Sequence, residues 1–331
     1  MIFNKVVVTG GAGFLGSHLV DEILSRGLAS RIIIVDNLSS GSLKNIEKAL
    51  SDHRVSLAKL DLKRVSSDLE NAFRGSEAVF HYAANPEVRI SVTDPRTHFN
   101  ENVVSTFNVL ELCRKHDIEY LVFASSSTVY GDALLLPTPE TYCLTEPVSV
   151  YGAAKLCCEV LISTYTKLYG IHALILRYAN IVGLRLRHGV IYDFIQKLLK
   201  NPRKLEILGD GTQRKSYLHV SDAVDATLHL LNHFIEERHR LAVYNIGNSD
   251  WITVKEIADI VVEEMGLENV EYVFKPATPD GRGWPGDVKL MLLDVSKLMA
   301  TGWKPRMSSR DAVRRCTREI LQELGVKKPP S

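Results

Sequence analysis

Short runs of apolar, often β-branched residues alternate along the first half of the chain with longer stretches in which apolar residues recur three and four positions apart. The short runs predict strands, and several of them, such as residues 32–35, are continuously apolar, which is typical of parallel strands buried on both faces. The longer stretches predict amphipathic helices over residues 17–26 and 102–115. We predict strands over residues 5–9, 31–36, 55–61, 78–84, 120–126 and 172–178.

This alternation of strand and helix predicts an α/β fold with a doubly wound parallel sheet of the Rossmann type. After about residue 178 the pattern ends and glycine and proline interrupt the chain frequently, although residues 243–246 predict one more strand. We therefore predict a first domain over residues 1–176, to which segments near residues 216–248 return, and a smaller C-terminal α/β domain over residues 177–331.

Charge and cysteine content narrow the class of protein. The 331 residues carry 40 basic and 39 acidic side chains, a formal net charge of +1, so we expect no nucleic-acid partner. The five cysteines have irregular spacing, so we expect reduced thiols, as in the cytoplasm, and no metal site. No apolar stretch reaches the length of a membrane span and no signal-peptide pattern opens the chain, so we expect no membrane partner.

A glycine-rich turn follows the first predicted strand. Gly10, Gly13 and Gly16 lead into a predicted helix whose N-terminal N–H groups can bind a pyrophosphate. Asp36 ends the second predicted strand, where its carboxylate can bind both hydroxyls of an adenosine ribose. A 2′-phosphate about 4 Å from this carboxylate would cost on the order of 4 kcal/mol, and no arginine follows to offset it. Together these residues predict a dinucleotide site that favours NAD over NADP.

Asp61 and Leu62 lie at the end of the third predicted strand and have two interpretations. They can hold the adenine edge of the cofactor, because the carboxyl ends of parallel strands meet at the ligand-binding edge of a sheet. Equally, Asp61 can cap the helix that follows.

A phenol and an ammonium, Tyr151 and Lys155, stand four residues apart on one face of a predicted helix. A free phenol has a pKa of about 10, so Tyr151 becomes a base near pH 7 only if its phenolate gains about 4 kcal/mol. A nearby ammonium and a positive nicotinamide ring can supply that stabilisation in a dry cleft. The fifth predicted strand ends in a run of hydroxyls, Ser125 to Thr128, and a hydroxyl there can share a proton with the tyrosine. Taken singly, the pair fits a solvated helix face and any one serine fits a strand-end turn.

In combination, these motifs resemble those of the extended short-chain dehydrogenase/reductases and, within them, of the UDP-galactose 4-epimerases. The resemblance covers nearly the whole chain and rests on residues 9–16 (TGGAGFLG), 36–38 (DNL), 125–131 (SSSTVYG), 151–155 (YGAAK), 177–180 (RYAN) and 209–211 (GDG). It implies that Tyr151 removes the proton of a sugar 4-hydroxyl while C4 gives a hydride to bound NAD. The hydride then returns to the opposite face of the ketose, without net oxidation.

The resemblance implies roles for individual residues. Tyr151 is the acid and base, Lys155 tunes it and binds the nicotinamide ribose, and Ser126 is the catalytic serine. Besides the glycines, Asp36, Tyr151 and Lys155, cofactor contacts fall on Phe14, Leu15, Asn37, Asp61, Leu62, Ala83, Ala84, Asn85, Asn102 and Tyr178. Substrate contacts fall on Ser126, Asn180, Ile207, Leu208, Lys215, Arg282 and Asp287, of which Ile207 and Leu208 act through backbone groups.

Two departures from the family pattern concern the diphosphate. Lys215 stands where the family commonly has an arginine, and it can meet a phosphate only as a point charge. A second arginine usually stands three residues before the position of Asp287, where this chain has Trp284. We therefore expect Arg282 to reach the phosphates; the alternative is an arginine in a flexible glycine-rich loop.

Several alternatives remain within and beyond this family. Relatives that dehydrate or decarboxylate nucleotide sugars carry an acidic residue where this chain has Thr128, which cannot act as a general acid or base. An epimerase or dehydrogenase for UDP-N-acetylglucosamine, UDP-glucuronate or a deoxythymidine-linked sugar stays open. A catalytically silent NAD sensor also stays open, although it would not need Ser126, Tyr151 and Lys155. By resemblance we expect a homodimer, formed through the predicted helices over residues 102–115 and 155–169.

Overall fold

Strands and helices alternate along the chain in the computed structural model, which describes residues 3–326. The strands are β1 Phe3–Thr9, β2 Ala29–Val35, β3 Val55–Ala58, β4 Ala78–His81, β5 Tyr120–Ser126, β6 His172–Tyr178, β7 Asn180–Val182, β8 Lys204–Leu208, β9 Arg214–Lys215, β10 Tyr217–His219, β11 Leu241–Ile246, β12 Ile252–Thr253, β13 Glu271–Lys275 and β14 Leu290–Met291. The predicted strands over residues 120–126 and 172–178 are confirmed at both ends.

The helices are α1 Phe14–Ser25, α2 Leu43–Leu50, α3 Ser67–Phe73, α4 Ile90–Thr93, α5 Pro95–His98, α6 Ser105–Lys115, α7 Val150–Tyr169, α8 Val190–Lys200, α9 Val220–Glu236, α10 Val254–Glu264, α11 Ser296–Ala300 and α12 Ser309–Glu323. A π-helix over Phe99–Val104 directly precedes α6, and a 3-10 helix over Ser127–Tyr130 directly follows β5. Within residues 3–326, none of the helices is both long enough and apolar enough to cross a membrane.

Two predicted strands are too long. β3 ends at Ala58 rather than residue 61, because the Asp61 carboxylate accepts the backbone N–H of Lys63 at 2.9 Å and the chain turns there. β4 ends at His81 rather than residue 84, because its partner β1 ends at Thr9, where the backbone turns away through Gly10. Asp61 and the segment 83–85 therefore lie in loops that follow the strands.

Seven strands form the central sheet, in the order β11-β6-β5-β4-β1-β2-β3. The sheet is parallel, and its order is that of a dinucleotide-binding fold, with the reversal of strand order between β1 and β4. This confirms the predicted doubly wound Rossmann-type fold. Ligands in such sheets bind outside the carboxyl ends of the strands at the reversal. At this reversal Gly10, after β1, and Ala83, after β4, lie side by side.

Both faces of the sheet are covered. On one face, alternate strand residues such as Val7, Ile33 and Phe123 share a buried cluster with side chains of α3, α6 and α7. The intervening residues, such as Val8 and Ile34, are equally buried on the other face, where α1 packs on β1 and β2. Burial on both sides explains why these strands are continuously apolar in sequence.

The chain divides into two compact units. The first comprises the residues up to Val129, Ser149–Arg177 and Val224–Tyr244, and it contains the central sheet. The second comprises Tyr130–Val148, Tyr178–Ala223 and the residues from Asn245 onward, and its described part contains the β7–β10, β8–β13 and β12–β9–β14 pairings. The assignment of cofactor binding to the first domain and of substrate binding to the second stays a prediction.

Candidate active site

The glycine-rich turn between β1 and α1 brings backbone unusually close to backbone. Gly10 has a φ of 67°, and a Cβ atom there would lie 2.6 Å from the backbone nitrogen of Ala83. A Cβ atom on Gly16 would overlap the carbonyl oxygen of Gly10. Gly13 is the N-cap of α1 and has no side chain to cap it, so the first N–H groups of that helix, at Phe14 and Leu15, can face a ligand.

Asp36 directly follows β2 and is 8% exposed. One carboxylate oxygen accepts the backbone N–H of Ala12 at 3.0 Å, and the other accepts that of Leu38 at 2.8 Å. These bonds tie the carboxylate to the glycine-rich turn, and each oxygen keeps a further lone pair for a ribose hydroxyl. The neighbouring Asn37 uses its side-chain oxygen to accept the N–H of Ser39 at 2.9 Å.

Asp61 and Leu62 differ in the groups that they could offer to a cofactor. Asp61 does not cap α3, because the N-cap of that helix is Ser66, whose hydroxyl accepts the N–H of Leu69. Its carboxylate instead holds the turn at Lys63 and lies 3.5 Å from the lysine ammonium. Leu62 is 5% exposed and belongs to the buried cluster beneath the sheet, so any polar contact with a cofactor has to come from its backbone.

The loop after β4 and the π-helix meet at Asn102. This residue is 1% exposed, and its side-chain oxygen accepts the backbone N–H of Asn85 at 2.8 Å. Its side-chain NH₂ has no hydrogen-bond partner anywhere in residues 3–326. Ala83 is held from the other side, since its N–H bonds the hydroxyl of Thr9 at 3.3 Å, and Ala84 follows it in the loop. The open donor beside the close-packed glycines fits a polar dinucleotide such as NAD.

Tyr151 lies in the first turn of α7, a helix that begins where the Ser149 hydroxyl accepts the N–H of Gly152. Its phenol faces the side chain of Ser126 at the end of β5, and this contact acts to lower the pKa of the phenol. Ser126 also accepts the hydroxyl of Thr128 at 3.0 Å, which fixes the serine at this edge of the sheet.

Lys155 follows one turn later in α7 and is 3% exposed. Its ammonium donates to the carbonyl of Ala124 at 2.7 Å and lies 5.9 Å from the centroid of the Tyr151 ring. Burial lowers the pKa of Lys155 to about 8, although Cys158 and Glu159 oppose this shift. The structure thus brings Ser126, Tyr151 and Lys155 together within the first unit.

The pKa of Tyr151 differs from the sequence expectation. Burial raises it to about 12 in the protein alone, and the hydrogen bond with Ser126 offsets only part of this rise. Ionising such a phenol at pH 7 would cost on the order of 7 kcal/mol, so the phenol is neutral here. This raised pKa holds with the Lys155 ammonium 5.9 Å from the centroid of the Tyr151 ring.

A buried ion pair beside these residues was not predicted from the sequence. Arg177, at the end of β6, binds the carboxylate of Glu159 with Nη2–Oε2 and Nε–Oε1 distances of 2.6 and 3.0 Å. Glu159 also accepts the hydroxyl of Ser125, which directly precedes Ser126. The available signal was that Glu159 stands four residues after Lys155, on the same face of α7.

A buried histidine packs against the candidate base. The His98 ring meets the Tyr151 ring edge to face, with centroids 5.5 Å apart. Burial lowers the pKa of His98, so its imidazole is neutral beside the phenol. No sequence spacing indicated this contact, since residues 98 and 151 belong to separate helices.

Apart from Ser126, which lies in the first unit, the predicted substrate residues belong to the second unit. Asn180 begins β7, and its side chain donates to the carbonyl of Ser216 at 3.0 Å. Ile207 and Leu208 end β8, whose partner in its two-stranded sheet is β13. The other edge of β8 can therefore offer backbone groups to a flat base. Tyr178, predicted to contact the cofactor, is 5% exposed at the end of β6.

The predicted phosphate-binding cations are both paired with carboxylates. Lys215 binds the Asp287 carboxylate at 2.7 Å, and Asp287 is 2% exposed. Arg282 binds Asp132 at 2.9 Å and Asp280 at 2.7 Å, and it donates to the backbone carbonyl of Asp287 at 2.6 Å. The structure thus gathers Lys215, Arg282 and Asp287 around one short segment of the second unit.

Known proteins are similar to this chain in sequence and in fold. A crystal structure of a UDP-galactose 4-epimerase is 48% identical, with a TM-score of 0.86 over 97% of this chain and 99% of that one. A putative UDP-glucose 4-epimerase of Methanocaldococcus jannaschii is 36% identical over 94% of this chain and 96% of its own length. The UDP-glucuronic acid 4-epimerase of Bacillus cereus, solved with UDP-glucuronic acid and NAD, is 26% identical over 96% and 99% of the two chains, with a TM-score of 0.85.

A family model extends the resemblance across most of the chain. Residues 6–247 match the NAD dependent epimerase/dehydratase family. The matched range includes the glycine-rich turn, Asp36 and the Tyr151–Lys155 pair. The predicted cofactor, NAD, is confirmed with the family. The chain therefore belongs to the NAD-dependent epimerase/dehydratase family and is an enzyme.

Proposed function

We propose that the enzyme interconverts UDP-galactose and UDP-glucose by transient oxidation at C4 of the sugar. The observation that carries this proposal is the half-buried contact of Tyr151 with Ser126, one helical turn from Lys155, in a fold that binds NAD. The similarity to a UDP-galactose 4-epimerase at 48% identity supports the same reaction.

The chain's own residues would handle the proton. NAD, when bound, supplies a reversible hydride acceptor for C4 and a positive charge near the phenol. Tyr151 would take the proton of the sugar 4-hydroxyl and return it to the ketose oxygen after the sugar has turned over. Ser126 would hold that oxygen through its hydroxyl, and Lys155 would bind the nicotinamide ribose.

Residues of the second unit would bind the nucleotide. We propose that backbone groups of β8 at Ile207 and Leu208, on the edge away from β13, meet the base, and that Asp287 meets the ribose. Lys215 and Arg282 would neutralise the diphosphate, with Asn180 near it. Remote binding energy of this kind can hold the nucleotide while the sugar rotates, which an epimerase needs.

Elimination chemistry is disfavoured by the same structure. The Thr128 hydroxyl donates to Ser126 at 3.0 Å, so it supports the catalytic serine and offers no ionisable group for dehydration or decarboxylation. We therefore propose an isomerase in place of a dehydratase or a decarboxylase.

The deciding experiment is an incubation of purified protein with UDP-galactose and no added cofactor, followed by chromatography of the sugar nucleotides. We expect UDP-glucose to form without accumulation of NADH, and NAD to be released on denaturation. Tyr151→Phe should lose the activity by a factor of about 100 or more, within the range of proton-transfer catalysis, while keeping its NAD. Failure to convert UDP-galactose even with added NAD would refute the assignment.

A second candidate substrate is UDP-glucuronate, which is favoured by the similarity to the Bacillus cereus enzyme. The same assay with UDP-glucuronate and UDP-N-acetylglucosamine separates the possibilities by kcat/KM. We expect UDP-galactose to give the highest value. A higher value for either other sugar would move the assignment to it and leave the mechanism unchanged.

We also propose a cytoplasmic homodimer. Large apolar side chains on α6 and α7 are exposed, among them Phe107 at 44%, Val160 at 60% and Leu168 at 66%. Such exposure on two helices of the first unit is typical of an interface between copies. Light scattering should give twice the chain mass, and Leu168→Lys should shift the protein toward the monomer. An unmodified protein that is monomeric at micromolar concentration would refute this proposal.

A further inference from the structure

Trp284 is a polar donor that the proposed function leaves without a role. We propose that its indole N–H binds the diphosphate of the nucleotide substrate together with the ammonium of Lys215. The inference rests on the proposed function, because it assigns a subsite for the diphosphate of that substrate. It adds an indole donor to the diphosphate site for which Lys215, Arg282 and Asn180 are proposed.

The indole nitrogen of Trp284 is buried, and within the described part of the chain it has no hydrogen-bond partner. Proteins rarely bury a polar group without a partner, so a donor in this state indicates a missing ligand or water. An indole N–H only donates, which restricts its partner to a hydrogen-bond acceptor.

The surroundings of the ring favour an acceptor with negative charge. The Lys215 ammonium lies 5.8 Å from the centroid of the Trp284 ring. One of its three N–H groups is directed at Asp287, at 2.7 Å. An oxyanion that bridges the indole and the ammonium would gain a charge-assisted hydrogen bond from the lysine. A phosphate offers several such oxygens in tetrahedral array and can meet both donors.

Hydrogen bonds within the segment hold Trp284 in place. The backbone N–H of Asp287 donates to the carbonyl of Trp284 at 3.1 Å, and the N–H of Gly283 donates to the Asp287 carboxylate at 3.4 Å. A Cβ atom on Gly283 would lie 3.3 Å from Leu208, so the segment passes directly along the end of β8. The segment that carries Trp284 therefore passes beside the strand proposed to bind the base.

Arg282 is the less suitable partner for the phosphate. Its guanidinium already binds the carboxylates of Asp132 and Asp280 and the carbonyl of Asp287. These bonds hold the segment closed, and a phosphate would have to displace them. Lys215 and Trp284 offer donors without breaking that network, so we assign the hydrogen bonds to the diphosphate to them, while Arg282 adds its positive charge to the site.

The test uses the full-length enzyme with its NAD and measures the binding of UDP and of uridine by calorimetry. Trp284→Phe keeps an aromatic ring and removes the N–H. We expect it to weaken UDP binding about tenfold or more, the usual loss for a hydrogen bond to a charged group, and to leave uridine binding unchanged. Trp251→Phe is the matched control, because the Trp251 ring packs against Arg214 at 5.1 Å and should not affect UDP.

The binding of UDP and of uridine together separates a failure of the indole's role from a failure of the proposed function. Equal weakening of UDP and uridine, or unchanged UDP binding, would overturn the role of the indole and leave the proposed function intact. If the unmodified enzyme does not bind UDP, the proposed function fails as well.

A measurement on the unmodified enzyme covers the case in which Trp284→Phe does not fold. The chain contains three tryptophans, so ¹⁵N-labelled protein gives three indole signals. UDP should move the Trp284 indole proton downfield and uridine should not. An unmoved Trp284 signal in UDP-saturated enzyme would contradict the inference directly.

Discussion

Replacing Glu159 by glutamine tests how much the buried ion pair beside the candidate active site contributes to the stability of the fold. The change keeps the size of the side chain and removes its charge, so the Arg177 guanidinium is left buried without its counter-ion. Glu159 is 6% exposed and Arg177 is 8% exposed, and their closest N–O distance is 2.6 Å. Breaking such a pair on one side costs about 3–5 kcal/mol, a large share of a typical stability of about 5–15 kcal/mol.

Urea denaturation measures this loss as a fall in the midpoint at constant slope. Glu22→Gln is the control, because Glu22 forms an ion pair of similar length, 2.8 Å, with Arg26, but both side chains are about 40% exposed. That change should cost less than about 1 kcal/mol. If both variants lose the same small amount, the argument from burial is wrong. Replacing both Glu159 and Arg177 by leucine should restore much of the loss, because no unpaired charge remains.

The remaining predictions concern the cofactor turn and the core. Asp36→Ala should raise the affinity for NADP relative to NAD by on the order of 100-fold in calorimetry, since the carboxylate no longer repels a 2′-phosphate. Gly16→Ala should weaken NAD binding at least about tenfold, because its Cβ overlaps the Gly10 carbonyl. Gly27→Ala has open space around its Cβ but a φ of 61°, so it should cost stability and leave NAD content unchanged. Burial lowers the pKa of His81 to about 3 in the folded protein. As the pH drops from 6.5 toward 3, this histidine is protonated in the unfolded chain but not in the folded one, so stability falls over that range. His81→Asn should remove up to about 1.4 kcal/mol per pH unit from that slope, as measured by urea unfolding at several pH values.

Local patterns predicted the elements that carry the cofactor. Continuous apolar runs marked β1 and β2, and the turn between β1 and α1 needed glycines at positions 10 and 16 because backbone meets backbone there. The spacing of Tyr151 and Lys155 placed both on one face of α7, which the structure bears out. These features depend on neighbours in sequence, so the sequence alone could reveal them.

Features that depend on distant parts of the chain could not be predicted in this way. β4 ends at His81 because β1 ends opposite it, and no local signal marks that residue. The π-helix over Phe99–Val104, where a continuous α-helix was expected from residue 102, brings Asn102 to Asn85. The pairing of Glu159 with Arg177 joins a helix to a strand, and only the packed fold brings the two charges together.

The pKa of Tyr151 connects the fold to the proposed chemistry. Burial raises this pKa to about 12 with the Lys155 ammonium already 5.9 Å from the centroid of the ring. A further positive charge about 4 Å from the phenolate would stabilise it by on the order of 4 kcal/mol. Oxidised NAD would supply one such charge and would offset about half of the roughly 7 kcal/mol needed to ionise the phenol at pH 7. The tyrosine would then act as a base only with oxidised cofactor in place, which couples removal of the proton to the presence of a hydride acceptor.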